Sequence, residues 1–216
     1  MSASVPATGL RERHKQQRRE RILEAIRELL RESPNETPTV ERIAELADLS
    51  SATVFNLVGR REQQWAALCD ALLRELNACL ALAADEDPRE QARRIVGDTA
   101  ELFIADTAVY GHLVNTWGRG GLLLQENPVP QLRAAMRRGQ AAGMLRPDLH
   151  VDALVGHIAT AAGGALRLWA AGQIPDAEFR KRVRFAVDVV FAATASDDCA
   201  AELRAPLQRT PPRGLR

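Results

Sequence analysis

The sequence has little of what enzyme sites and secreted domains are built from. Its three cysteines, Cys69, Cys79 and Cys199, are odd in number and have no C-x-x-C spacing. That argues against a disulfide framework and a zinc site, and it fits a reducing cytosol. Aromatic residues make up 4% of the 216 positions, and lysine occurs only at Lys15 and Lys181. The longest nearly uncharged run, "ALVGHIATAAGGAL" from 153 to 166, is too short for an ordinary membrane span and is rich in glycine. The amino terminus lacks the apolar stretch of a secretory signal, so a cytoplasmic protein with no membrane partner is expected. The formal net charge is only +1, so any affinity for a polyanion has to be local.

Catalytic patterns are equally sparse. "GRGG" is not G-x-G-x-x-G and follows no strand, so dinucleotide binding fails on context. His150 and His157 could share a helix face, but without a nearby carboxylate or cysteine they make a poor metal site. No serine or cysteine has a recognisable base partner. Neither enzyme activity nor a metal or cofactor is expected.

What the sequence does have is helical periodicity in an alanine-, leucine- and arginine-rich chain, with no stretch that alternates as a strand. Residues 1–17 carry Arg11, Arg13 and Lys15 without apolar periodicity and read as a flexible basic arm. Ile22, Leu23, Ile26, Leu29 and Leu30 then define one buried stripe of a helix over about 18–31. "SPNETP" stops it, and a short helix with a threonine cap near Thr39 carries Val40, Ile43, Ala44, Leu46 and Ala47 inward. Ser50 caps a third helix over 51–57, and Gly59 breaks it before a long fourth helix over 61–83. Five more follow at 88–105, 107–117, 128–142, 149–171 and 176–195. The expected organisation is all-α with about nine helices. An 18–64 unit that carries the two short helices precedes a 65–196 helical bundle, and 197–216 is a flexible tail.

Two short helices joined by the turn "DLS" and backed by a first helix match the helix-turn-helix arrangement, whose second helix enters the DNA major groove. Val54, Leu57 and Val58 can anchor that helix, while Ser51, Ala52, Thr53 and Asn56 offer hydroxyls, a methyl and an amide outward. No carboxylate lies between Ser50 and Arg61. Arg11, Arg13, Lys15 and Arg18 on one side, and Arg60 and Arg61 on the other, bracket the reading helix and can hold phosphate.

These residues in this order resemble the amino-terminal domain of the tetracycline-repressor (TetR) family of bacterial regulators. "RERILEAIRELL" followed by "TPTVERIAELADLSSATVFNLVGRREQQW" carries the likeness over roughly residues 18–65; beyond 85 it is architectural. The resemblance implies a homodimer that reads a palindromic double-stranded operator and releases it on binding a small molecule. It further implies phosphate contact at Thr39, groove contact by Ser51, Ala52, Thr53 and Asn56, and a backbone hold by Arg61. Departures are Asp48 where the turn usually begins with glycine, Phe55 where a tyrosine supplies a hydroxyl to phosphate, and Leu57 and Val58 at a commonly polar and an aromatic position.

In the carboxy-terminal half, Val155, Ile158, Ala162 and Leu166 form one apolar stripe and Val183, Val187, Val190 and Phe191 another; the stripes alone fit either ordinary packing within the chain or a two-fold four-helix interface, and the family resemblance points to the interface. Aromatic and soft residues with a few polar orienters suggest an effector site: Trp65, Cys69, Phe103, Tyr110, His112, Asn115, Trp117, Met136 and His157. A repressor is the expected function. The alternative is a helical small-molecule sensor or adaptor that keeps the fold without specific DNA binding.

Overall fold

A computed structural model of the chain describes residues 7–79, 86–116 and 129–208, and in these the architecture is helical throughout. The helices are α1 (Ala7–Glu32), α2 (Val40–Leu46), α3 (Ser51–Val58), α4 (Arg61–Cys79), α5 (Pro88–Ala105), α6 (Thr107–Thr116), α7 (Val129–Ala141), α8 (Val151–Ala170), α9 (Asp176–Thr194) and α10 (Ala200–Arg204). A 3-10 turn, Ala205–Gln208, follows the last. Among the described residues the one extended pairing is an isolated bridge between Leu145 and Ala195. The chain divides into two compact units, Met1–Leu72 and Leu73–Arg216.

In the amino-terminal unit, the stripe of α1 closes over α2 and α3. Ile22, Ile26 and Leu30 are fully buried with Ile43, Val54 and Leu68, and Trp65 and Leu72 complete the core from α4. Such a core holds α3 rigidly, because interiors pack at crystal-like density. One expectation is overturned here. α1 is helical from Ala7, so Arg11, Arg13 and Lys15 stand on a helix and not on a flexible arm. From Arg11 to Arg21 no side chain is buried, which is why apolar periodicity gave no sign of it. Arginine, glutamate and glutamine extend an already nucleated helix at little cost. The contacts Gln16 Nε2 to Glu20 Oε1 at 2.8 Å and Lys15 to Glu12 at 3.7 Å run along it.

The carboxy-terminal unit is built around α9, which packs against α5 and α8, with α7 against both α5 and α8 and with α6 on α8. Asp87 starts α5, its carboxylate accepting from the backbone N–H groups of Arg89 and Glu90 at 3.0 Å, with Pro88 at the first helical position. Trp169 stacks on Phe179 at 5.2 Å and donates from Nε1 to Asp176 at 2.8 Å. Ion pairs fasten α5 to α9: Arg93 Nε lies 2.6 Å from Asp188, and Arg180 holds Glu101 at 2.6 and 2.9 Å. Within the segment expected to be a flexible tail, 200–208 is helical, with Leu203 buried.

Candidate nucleic-acid interface and effector cavity

The turn between α2 and α3 is assembled from capping contacts. Thr39 Oγ1 accepts from Arg42 N at 3.3 Å to start α2. Leu49 N donates back to Ala44 O at 2.9 Å, and Asp48 takes a left-handed φ of 51°, a conformation that Asp reaches more readily than most residues. Ser50 Oγ accepts from Thr53 N at 3.2 Å and lies 2.9 Å from Thr53 Oγ1. Ser50 therefore spends its oxygen on starting α3. Arg21 carries no local sequence signal of its role. It donates to the carbonyl oxygens of Ala47 and Asp48 and so fastens α1 to the turn. A separation of 26 residues hides that contact from any local pattern.

On α3, Val54 and Val58 are buried, Thr53 and Leu57 half-buried, and Ser51, Ala52, Phe55 and Asn56 exposed. Exposure at i, i+1, i+4 and i+5 makes one outward strip. Gly59 ends the helix at φ 76°, where an added Cβ would lie 2.0 Å from Gln63 Oε1. That oxygen instead accepts from Arg60 N at 2.9 Å and caps α4. Arg60 and Arg61 are exposed and form no ion pair among the described residues, as suits phosphate contact. Arg11, Arg13, Lys15 and Arg18 are exposed along α1, with Arg18 Nε donating to His14 O at 3.3 Å.

In the carboxy-terminal unit a cavity of about 20 Å³ lies between α5, α7, α8 and α9. Its wall is hydrocarbon from Phe103, Leu132, Ile158, Ala162, Phe179 and Val183, apart from Thr99, whose hydroxyl donates to Ile95 O at 2.7 Å. Of the expected effector residues, Phe103 alone lines it. Tyr110 stands one layer away, its ring 4.6 Å from that of Phe103. Met136 is fully packed and His112 buried, while Asn115 ties α6 to α8 by donating to Ala170 O at 2.9 Å. Trp117 lies outside the described residues. Trp65 and Cys69 do not line the cavity; both are buried in the amino-terminal unit. Burial, assisted by the charge of Asp70, pushes the Cys69 thiol up to about 12.

The dimerisation stripe is corrected as well. Val155, Ile158, Ala162, Leu166, Val183, Val187, Val190 and Phe191 are all buried within the chain itself. Both stripes marked the faces that α8 and α9 turn to their own core, which periodicity cannot distinguish from a partner's. The opposite faces form a groove of about 340 Å³ lined by His157, Ala161, Gly164, Leu168, Phe185 and Val189 among others. A Cβ added at Gly164 would meet nothing within 4 Å. His157, read as an effector residue, stands in this groove.

No family model and no curated protein matches the sequence. Solved structures do. The regulator RolR in complex with resorcinol superimposes with a TM-score of 0.67 at 19% identity, over 94% of this chain and 98% of that one. A TetR-family regulator from Streptomyces coelicolor gives 0.61 at 18% identity over 92% of each chain. The TetR-family regulator PfmR from Thermus thermophilus gives 0.54 at 21%, over 79% of this chain and 97% of that one. At these identities the likeness establishes the fold, which is that of TetR-family transcriptional regulators. None of the described helices is long and apolar enough to cross a membrane.

Proposed function

We propose that the protein is a homodimeric transcriptional repressor that binds a palindromic operator through α3 and is released by a small, largely apolar molecule. The observation that carries the reading is the α2–α3 pair. A short helix with two buried anchors presents four exposed, uncharged side chains, and exposed, unpaired arginines follow it at Arg60 and Arg61. That is the division of labour between base reading and phosphate holding that a groove-bound helix needs. Thr39 and the cations of α1 add phosphate contacts.

Dimerisation is assigned to the outer faces of α8 and α9. Glycine inside a helix costs about 1 kcal/mol relative to alanine, and nothing in the chain crowds Gly164. A second copy laid across α8 would need that space. The effector site is assigned to the cavity beside Phe103. Its hydrocarbon wall favours a small neutral ligand, and the Thr99 oxygen can accept one hydrogen bond. RolR, with its bound phenolic ring, supports that class of ligand. At about 20 Å³ the cavity holds roughly one water, so an effector has to separate α5 from α8 and α9. Such a displacement is what a two-state release requires.

Fluorescence anisotropy on the DNA upstream of the protein's own gene, against scrambled DNA over a salt series, tests the reading. Tight, sequence-dependent binding that weakens steeply with salt is expected. Weak, equal binding there and to genomic fragments put through selection would instead favour a DNA-free sensor.

A further inference from the structure

The outward strip of α3 is selective in its chemistry. Ser51, Ala52, Phe55 and Asn56 compose it, and it contains no arginine, lysine or carboxylate. In the major groove, guanine is matched by a forked or ammonium donor on O6 and N7, and cytosine by a carboxylate on N4. α3 has neither. It has one carboxamide, Asn56, which can pair with N6 and N7 of adenine, and hydrocarbon at Ala52 and Phe55, which matches the C5 methyl of thymine.

Phe55 decides the matter. Its side chain is 49% exposed, and with Leu46 it is one of two exposed large hydrophobic residues among those described. The domain does not need it as an anchor, because Val54 and Val58 fill that role. The ring sits one turn after Ser51 and beside Asn56, in the middle of the strip that the proposed function turns toward DNA. Exposed cations at Arg60 and Arg61 complement the phosphates that wall a groove. A hydrocarbon face of this kind has one apolar counterpart among the major-groove base edges, the thymine methyl.

We infer that α3 reads A·T base pairs, with Phe55 and Ala52 against thymine methyls and Asn56 on adenine, and that this helix makes no forked or ammonium contact to guanine. The inference rests on the operator-binding reading and deepens it by naming the bases.

The test uses the full-length protein and a random duplex library. Selected half-sites are expected to place A·T pairs where α3 docks. Replacing a contacted thymine by deoxyuridine removes only the methyl, and should weaken binding by about fourfold for each methyl buried. Phe55→Ala should bind the thymine and uracil duplexes alike, and Phe55→Leu, which keeps hydrocarbon at the site, should retain part of the difference. Asn56→Ala should lose the preference for adenine at one step. Half-sites led by G·C, or wild-type affinity unchanged by deoxyuridine at every thymine, would overturn the inference while leaving operator binding intact. Enrichment of no sequence would overturn the operator-binding reading and the inference together.

Discussion

The guanidinium of Arg21, on α1, lies 3.4 Å from the carboxylate of Asp48 in the turn between α2 and α3, and it also donates to the carbonyl oxygens of Ala47 and Asp48. The carbonyls at the end of α2 carry the partial negative charge of a helix terminus, so a cation there is favoured. Asp48 is also the one non-glycine residue at positive φ among those described. The chain thus reverses direction on a residue of tolerable left-handed geometry, and α1 grips it from behind.

Most of the benefit should come from the carbonyl contacts. The Asp48 side chain is 97% exposed and that of Arg21 49%, and exposed ion pairs contribute little. Arg21→Ala is therefore expected to lower the unfolding free energy by about 1 kcal/mol, with Asp48→Asn close to neutral. Asp48→Val, forced into the left-handed region, should cost about 1–2 kcal/mol. Urea unfolding measures all three, and an Asp48→Asn loss as large as that of Arg21→Ala would place the energy in the ion pair instead.

Arg61 and Asn56 should fail differently on DNA. Arg61 is exposed at the start of α4 and, in the operator-binding reading, holds phosphate, so Arg61→Ala should weaken binding on every sequence and reduce the salt slope by about 1. Asn56→Ala should relax choice at particular base pairs and leave the slope in place. Anisotropy over a salt series on matched and mutated duplexes separates the two, and a uniform loss from Asn56→Ala would remove it from base reading.

Arg180 grips Glu101 with two hydrogen bonds and holds its carboxyl below the ordinary value of 4.5, with Arg184 adding to the effect. A carboxylate depressed in the folded state contributes stability that is complete above the ordinary value and is lost as pH falls through the folded one. Half-exposure of the pair keeps the effect modest. Glu101→Gln should therefore be less stable than wild type at neutral pH and equal to it once the acid range is passed. Thermal unfolding between pH 7 and pH 3 reads this, and parallel curves would exclude Glu101 as a source of acid sensitivity.

Both short helices of the turn, their caps at Thr39 and Ser50, and the five helices from Pro88 to Thr194 were legible because their signals are local. A capping hydroxyl acts within three residues, and a buried stripe repeats every turn. Arg21 at the turn, the helical state of residues 7–17 and the direction in which α8 presents its faces were not legible. Arg21 acts across the fold. The extension of α1 buries no side chain between Arg11 and Arg21, so only propensity and inheritance from the following turns maintain it. Ile158, Ala162 and Val183 look from sequence like interface residues because a core stripe and an interface stripe have the same period. Only burial, which the structure supplies, separates the two.

Gly164 gives the sharpest test of the dimer. A side chain at Gly164 meets nothing within 4 Å in its own chain, so Gly164→Arg should fold normally and even gain helix propensity. Across a close two-fold contact the same arginine would be buried without a partner. Sedimentation is expected to find a dimer in wild type and a monomer in Gly164→Arg, with operator affinity reduced because a palindrome is then met one half-site at a time. A stable dimer of the variant would move the interface elsewhere.

Phe103 closes the cavity and leans on Tyr110, and it is 5% exposed. Removing its ring deletes a large buried side chain and leaves a void between α5 and α9, which large-to-small changes suggest costs about 3–5 kcal/mol. The walls that remain are hydrocarbon with one hydroxyl oxygen, so the void should stay dry and accept a small apolar ring. Any ligand bound only by the folded state raises stability by mass action. Phe103→Ala should therefore unfold at lower temperature than wild type, and benzene or phenol should recover part of the loss in a concentration-dependent way while shifting wild type little. If the variant is destabilised but no small ring restores it, the space beside Phe103 collapses when vacated, and the effector site then has to lie elsewhere in the unit.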